Sequence, residues 1–246
     1  MNYKNQTTTG NKPYHLRKRI ITVAVAVVAV MLAVTTAVNA KPSADCNWYL
    51  SAGAQGIVDA RGTGPDANLG GGVVVNGSSD YSGRHALNVG VGREFTVCND
   101  TGRRTHLRLE AQYWDGYVHR NSVALGVVNP VLDDKVDYRA LFLNGFVALS
   151  RTDKFSLWLG PGVGYAWTSF PDASYATPCG CLKAAKSEGL ALQLKLQAER
   201  RVYDNTSVFG EVGYVNFPGA QSTGIPGSSY GDVGMVIIGL GVITHL

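Results

Sequence analysis

Apolar and polar residues alternate along much of this chain with a period of two. The clearest stretch is residues 155–167, where the odd positions are apolar or aromatic and the even positions are mostly small. This period is typical of a strand with two different faces. Strands that rise ~3.3 Å per residue and tilt by ~40° climb roughly 30 Å over this length, about the height of a bilayer. We interpret the stretch as a transmembrane β-strand.

Seven other segments alternate in the same way, so the pattern predicts eight strands. The others lie at about residues 46–57, 87–95, 107–113, 136–150, 192–199, 206–217 and 232–246. Their connections alternate between long and short, and the long ones are residues 58–83, 118–135, 170–186 and 218–231. Short periplasmic turns and longer extracellular loops are typical of outer-membrane barrels. The predicted fold is all-β, a closed up-and-down antiparallel transmembrane β-barrel of eight strands preceded by a signal peptide.

Three of the strand assignments need a further argument. Residues 192–199 have a composition that favours helix, but their strict alternation would give a helix no coherent face, so the period favours strand. The fourth strand is apolar on both faces, and we assign Asn144 inward with Phe142 and Phe146. Pro161 lies mid-strand without an N–H group, so we expect a local bulge or one missing ladder bond there.

Polar side chains on one face of these strands are predicted to fill the barrel. They are Asn88, Glu94, Arg108, Glu110, Gln112, Lys195, Gln197, Glu199 and Glu211. An eight-stranded barrel is just wide enough for side chains to fill it, and buried charges there have to be paired. We therefore predict a plug of ion pairs, with inward glycines leaving room for larger side chains. The alternative is a narrow ion path gated by rearrangement of these pairs.

The opposite face is apolar and carries aromatic residues at the predicted membrane interfaces. They are Trp48, Phe95, Tyr113, Phe155, Tyr165, Trp167 and Tyr214. Aromatic girdles at both interfaces are typical of outer-membrane barrels. Arg93 lies on this face beside Phe95, which is tolerable near an interface because the long side chain can reach water.

The first 40 residues are predicted to be a leader. Residues 1–19 carry five Lys or Arg and no Asp or Glu, residues 20–34 are apolar apart from Thr22, and small residues stand at Val38 and Ala40. This order predicts a signal peptide cleaved after Ala40, with residues 41–246 as the barrel domain. The alternative is an uncleaved anchor, because the apolar segment extended to Val38 has 19 residues.

Removal of this leader changes the charge balance. The whole chain has 22 Lys+Arg and 18 Asp+Glu, a net charge of +4, but residues 41–246 carry 17 basic and 18 acidic residues. No basic surface for nucleic acid is therefore expected. Because no later run of 18 apolar residues follows the leader, a membrane-inserted form has to use strands.

The four cysteines fall at opposite ends of the predicted barrel. Cys46 and Cys98 lie at the periplasmic rim of one hairpin, whereas Cys179 and Cys181 lie in the third long loop, beyond a membrane band of ~25 Å. Of the three connectivities, only Cys46 with Cys98 and Cys179 with Cys181 avoids crossing the bilayer. The oxidising periplasm favours the first disulfide. For the second pair, free thiols, an intermolecular bridge and a metal remain alternatives.

Catalytic signals are weak. The Gly-x-Gly-x-Gly stretch at 160–164 lies within a strand, whereas a phosphate-binding loop needs a turn and a following helix. A Gly-x-Ser-x-Gly match occurs at residues 227–231, but it lies in a predicted loop rather than at a strand-to-helix turn, and no His pair has metal spacing. His119 has Ser122 nearby, the residue types that some small outer-membrane barrels use on lipid A, and the acidic residues at 133–137 are either solvated or hold a cation. We expect no enzyme, no cofactor and no metal.

Several short motifs resemble one known class of barrel. They are Asn47-Trp48-Tyr49, Arg108-Leu109-Glu110, Leu143-Asn144-Gly145, the Gly-x-Gly-x-Gly-Tyr stretch at 160–165 and the glycine-bearing last strand. Together they resemble the opacity and outer-membrane-protein-A type of eight-stranded barrel across residues 46–246. That family usually ends in an aromatic residue, whereas this chain ends in His245-Leu246. The resemblance implies envelope-stabilising proteins, adhesins or small pores.

We therefore predict a monomeric outer-membrane protein with a structural or surface-exposed, adhesin- or antigen-like role. Its expected partners are outer-membrane lipid, the barrel-assembly machinery and an extracellular ligand at the long loops, without nucleic acid. The alternatives are a low-conductance porin and, less favoured, a lipid-modifying enzyme. A soluble periplasmic barrel with an apolar ligand inside is disfavoured by the inward charges.

Overall fold

The structure is a computed structural model that describes residues 47–98, 104–126, 129–177, 179–223 and 226–246. These residues form antiparallel β-sheet and one 3-10 helix, Ser174–Ala176. The strands are β1 (Asn47–Thr63), β2 (Asp66–Gly70), β3 (Val73–Val75), β4 (Gly77–Ser82), β5 (His85–Cys98), β6 (Arg104–Leu125), β7 (Val131–Arg151), β8 (Phe155–Phe170), β9 (Ala185–Tyr203), β10 (Thr206–Phe217), β11 (Ala220–Gln221), β12 (Gly227–Tyr230) and β13 (Val233–His245). No helix in these ranges is long and apolar enough to cross a membrane. The predicted signal peptide, residues 1–40 with its cleavage site at Ala40, lies outside them.

Eight of the strands pair in a ring. Pairing runs from β1 through β5, β6, β7, β8, β9 and β10 to β13, and β13 pairs back with β1. Every one of these pairs is antiparallel. The predicted all-β class and the ring of eight strands are confirmed, and the segment at 192–199 is part of strand β9 rather than a helix.

The two ends of the ring differ in their connections. At one end, the turn end, β5 is followed by β6, β7 by β8 and β9 by β10, the last two through residues 152–154 and 204–205. The opposite end, the loop end, carries the connections at 64–84, 126–130, 171–184 and 218–232. The predicted loop bounds are wrong at two of them. β1 continues to Thr63, and β6 and β7 continue to Leu125 and from Val131, so most of the predicted loop at 118–135 is a β-hairpin.

An inversion of polarity along the β6–β7 hairpin explains this error. Up to Tyr113 the outward side chains of β6 are apolar, and the inward ones are polar. From Trp114 to Val118 the inward positions are apolar or glycine and fully buried, while Asp115 and, beyond it, His119 face outward. The period of two persists, but the apolar residues change from odd to even positions. In the sequence, this change of phase looks like the end of a strand.

The connections at the loop end interlock into a cap. β11 joins β9 to β12, β12 pairs with β2, β2 pairs with β3, and β4 bridges β1 and β6. A small apolar cluster lies beneath these strands and is drawn from several connections. Its buried members are Ala67, Val123, Leu125, Leu132, Ala173, Cys181 and Leu182. The loop end is therefore a folded layer over the ring rather than a set of separate loops.

The β7–β8 ladder is interrupted opposite Pro161. Partners run as far as Asn144 with Gly162 and resume at Val147 with Leu159, so two successive pairs are missing between them. On its other side Pro161 still pairs with Leu194 of β9. The interruption agrees with the expectation for a residue that has no N–H group to donate.

Candidate functional site in the barrel interior

The nine polar residues predicted to face inward are all buried, none with more than 7% of its surface exposed. Most of them lie on strand segments near the turn end. We name the part of the interior enclosed by these segments the turn half. Phe142, Asn144 and Phe146, assigned inward from sequence, are also buried. Glycines make room for them, because a Cβ at Gly160 would overlap the ring of Phe146.

Arg108 is the centre of the first ion-pair group. Its Nε donates to Glu94 Oε1 at 2.7 Å, and its Nη2 donates to the same oxygen and to Glu199 Oε2 at 2.6 Å. Arg151 donates from Nη1 to the other oxygen of Glu94 at 2.9 Å. The Arg108 guanidinium also lies 3.9 Å from the centre of the Trp158 ring. Two carboxylates and an aromatic face thus hold one buried cation, and Arg151 neutralises part of the charge of Glu94.

Lys195 is the centre of the second group. Its Nζ lies 3.2 Å from Gln112 Oε1, 3.6 Å from Glu211 Oε2 and 3.8 Å from Glu110 Oε1. Two carboxylates therefore share one ammonium group, and neutral donors supply the rest of their hydrogen bonds. These donors are Tyr49, Ser51 and Asn144 for Glu110, and Gln55 and Asn88 for Glu211. The arrangement compensates buried charge, as interior ionised groups require.

The other half of the interior, the loop half, is mainly apolar apart from the buried Arg120–Asp134 pair, which differs from the polar interior predicted from sequence. The Phe217 ring lies 5.0 Å from Trp114, 4.9 Å from Tyr138 and 6.5 Å from Phe142, between ring centres. Trp114 also donates from Nε1 to Gln55 Oε1 at 2.6 Å. It therefore joins the aromatic cluster to the polar network. The change of phase in β6 was the sequence signal for this cluster.

The acidic residues predicted as a possible cation site each contact a different basic side chain of the protein. Asp134 binds buried Arg120, Asp133 lies 2.8 Å from His119 Nδ1, and Asp137 lies 2.8 Å from Lys135 Nζ. Burial alone would lower the pKa of Arg120, but the bonds to Asp134 outweigh it and hold that pKa above its ordinary value. In the described ranges no group of three or more His, Cys, Asp and Glu could hold a metal.

His119 is engaged by Asp133 and lies beside Tyr117, with 5.7 Å between ring centres. No contact between His119 and Ser122 is found within the described part of the chain. The absence of an enzymatic activity stays a prediction.

The cysteines are only partly described. The sulfur atoms of Cys179 and Cys181 meet in the cap, where their Cα atoms are 5.1 Å apart. Cys46 and the side chain of Cys98 lie outside the described residues. Both disulfides therefore stay predictions.

The outer face of the ring exposes a belt of apolar side chains. Of the predicted interface aromatics, Trp48, Tyr113, Phe155, Tyr165, Trp167 and Tyr214 are 40–50% exposed, and Phe95 is half-buried. Beyond this belt, toward the loop end, the outward positions of β6 and β7 are charged, beginning with Asp115 and Arg139, which pair at 3.3 Å. The belt is the surface that a lipid environment requires.

No family model and no curated protein sequence matches the chain. Among solved structures it is similar to the outer membrane protein OprG from Pseudomonas aeruginosa, with 15% identity, a TM-score of 0.50 and coverage of 81% of this chain and 95% of that chain. Neisserial surface protein A matches at 12% identity and a TM-score of 0.41, covering 80% of this chain and 96% of its own. The outer membrane protease OmpT from Escherichia coli matches at 10% identity and 0.41, covering 84% and 98%.

At these identities the likeness concerns the fold. The fold is that of an outer-membrane β-barrel, as the similarity to OprG shows. OprG is an outer membrane protein, and the exposed apolar belt agrees with the same location for this chain. This similarity supports the general class of barrel rather than the opacity type in particular.

Proposed function

We propose that this protein is an integral outer-membrane β-barrel with a structural or surface-exposed role in the envelope. The observation that carries the proposal is a filled interior behind an apolar outer belt. Trp158 and Lys195 in the turn half, and Tyr138 and Phe217 in the loop half, are at most 1% exposed. A ring packed over both halves supports an envelope role rather than an open passage.

The loop end supports a surface-exposed role. Five large apolar side chains on these connections are 42–85% exposed: Leu69, Val73, Val74, Val131 and Tyr175. Exposed apolar groups on a water-facing surface favour contact with another molecule. The interlocked cap holds them in place, which suits a preformed contact surface.

Membrane placement is tested by fractionation and by a gel of boiled and unboiled samples. We expect the protein in the outer-membrane fraction and a shift in migration on boiling, because a ring without free edges keeps its fold in cold detergent. A soluble protein whose migration ignores heating would overturn the proposal.

Surface exposure is tested with two epitope insertions. One is placed between Gly71 and Gly72, where the structure leaves open space, and the matched control is placed between Asp204 and Asn205 at the turn end. We expect antibody to label intact cells for the first insertion and only permeabilised cells for the second. The reverse pattern would exclude a role for the cap at the cell surface.

Planar-bilayer recording separates this role from a low-conductance porin. We expect no steady conductance, because both ion-pair groups and the aromatic cluster occupy the interior. A reproducible unitary conductance that disappears when the protein is left out would favour the porin. Mass spectrometry of lipid A from cells with and without the protein tests the enzymatic alternative in the same way.

A further inference from the structure

Charged side chains are distributed unequally between the two ends of the ring. At the loop end, the described carboxylates outnumber the described Lys and Arg side chains. Four of these basic side chains form ion pairs: Arg61 with Asp59, Arg120 with Asp134, Lys135 with Asp137 and Arg139 with Asp115. The positive charge at this end is therefore largely neutralised by neighbouring carboxylates.

The turn end has the opposite composition. Five exposed cations surround it and form no ion pair within the described residues: Arg93, Arg104, Lys154, Arg200 and Arg201. The acidic side chains described at this rim are Asp153 and Asp204. The carboxylates of the nearby interior are already used by Arg108, Arg151 and Lys195. Among the described residues, the turn end therefore has more basic than acidic exposed side chains, and we name these five cations the basic rim.

Two members of the basic rim stand on the lipid-facing side. The Arg93 guanidinium lies 5.6 Å from the centre of the Trp48 ring, and Trp48 is half exposed on the outer face. Arg200 is the cross-strand neighbour of Phe155 and Val208, which are also exposed on that face. An arginine at the edge of an apolar belt lays its stem on the apolar surface and extends its charge to headgroup level.

We propose that the basic rim is an interaction surface for anionic phospholipid headgroups of the adjacent leaflet, with Arg93 and Arg200 as its two anchors. Guanidinium groups match phosphate oxygens in charge and in geometry. The cations are spread around a rim rather than gathered in a pocket, which suits many headgroups in one plane. The proposal rests on the membrane placement proposed above.

The chain supplies its own reporters for a test. Trp48 lies at the turn end and is 50% exposed, Trp167 is 40% exposed on the outer face toward the loop end, and Trp114 and Trp158 are fully buried. Trp167→Phe therefore leaves Trp48 as the accessible indole, and Trp48→Phe leaves Trp167. Each variant is refolded in phosphatidylcholine vesicles with a small fraction of brominated phosphatidylglycerol or of brominated phosphatidylcholine, and quenching is compared.

We expect brominated phosphatidylglycerol to quench Trp48 more strongly at low salt. A basic residue near an anionic surface contributes about fivefold to local binding, so an enrichment of roughly two- to fivefold is expected at the rim. Trp167 should be quenched equally by the two lipids. Arg93→Gln with Arg200→Gln should remove the difference at Trp48, whereas Arg139→Gln, a paired cation at the other end, should leave it.

The other possible quenching results distinguish failure of the headgroup proposal from failure of the membrane placement. Equal quenching of Trp48 by both lipids would overturn the headgroup proposal and leave the membrane placement intact. Quenching of Trp48 by neither lipid would overturn the membrane placement itself. If inorganic phosphate removes the difference more effectively than chloride at the same ionic strength, the cations recognise the phosphate group of the lipid rather than negative charge in general, which supports the proposal.

Discussion

The turn half and the loop half of the interior fill the same ring with different chemistry. In the turn half, Arg108 and Lys195 are each held by two carboxylates, and apolar side chains cover the outside. In the loop half, Trp114, Tyr138 and Phe217 form an aromatic interior, while the outward positions of the same hairpin are charged. One strand, β6, therefore has the polarity of a membrane barrel in its first part and of a water-soluble barrel in its second part.

Because of this difference, the stability of the two halves should respond differently to the loss of a side chain. A buried charge is tolerable only while its partners remain, so loss of a single member of a polar group exposes the full cost of desolvation. An apolar cluster loses stability in proportion to the contacts and volume removed. We therefore expect a single substitution in the turn half to cause a large loss of stability. In the loop half we expect the loss of stability to increase with the volume removed.

Removal of Arg108 is expected to have the largest effect. Arg108→Ala leaves buried Glu199 with Ser156 as its remaining donor at 3.5 Å, so we expect a loss of about 3–5 kcal/mol. Chemical unfolding of the refolded protein, followed by fluorescence, measures it. Adding Glu199→Gln should restore part of the loss, since the uncompensated charge is removed. Unchanged stability in Arg108→Ala would contradict the ion-pair plug.

Trp114 tests the junction between the halves. Trp114→Phe keeps an aromatic ring but leaves Gln55 Oε1 without its donor, which should cost about 1–3 kcal/mol. The same unfolding experiment applies. The double variant Trp114→Phe with Gln55→Ala shows whether the two effects are coupled. Strict additivity would mean that the bond at 2.6 Å does not link the two halves.

Phe217 tests the graded response of the loop half. Phe217→Leu keeps an apolar side chain among Trp114, Tyr138 and Phe142, so we expect a loss below about 1.5 kcal/mol. Phe217→Ala, which leaves a cavity, should cost more, about 3 kcal/mol. Equal losses in the two variants would show that volume does not govern this half.

The exposed pair above the belt should have the smallest effect. Asp115 and Arg139 have side chains that are 50% and 61% exposed, and such pairs contribute about 0–1 kcal/mol. We expect Arg139→Ala to shift stability by about 0.5 kcal/mol and the shift to vanish at high salt. A loss as large as that of Arg108→Ala would remove the distinction between buried and exposed pairs.

Much of the ring could be predicted because each strand faces lipid on its outer side and the filled interior on its inner side. Apolar and polar residues therefore alternate along the strand. That alternation alone is enough to place Glu110, Lys195 and Glu199 inward and Trp48 and Tyr165 outward. It also identified Pro161 as a defect in its ladder, since the missing N–H follows from the residue type alone.

The loop half of the ring and the contacts between distant strands could not be predicted. One reason is that the apolar residues change from the outer to the inner face part-way along β6. Past Tyr113 the outer face meets water instead of lipid, so Asp115 and His119 became evidence for a loop. The partners of Arg108 were also hidden, because Trp158 and Glu199 reach it from other strands and only the register brings them together. Pairing of β2 with β12 joins residues about 160 positions apart, which no local pattern encodes.

That pairing has a consequence for the order of folding. β12 docks on β2 in the cap as β13 docks on β1 in the ring, so the same final segment of the chain completes both layers. Contacts of such high sequence separation form late, after a large loss of chain entropy. Until that segment arrives, β1 and β2 both present open edges to other chains. The two layers should therefore be acquired in one late step, and an interruption before it would expose both to aggregation.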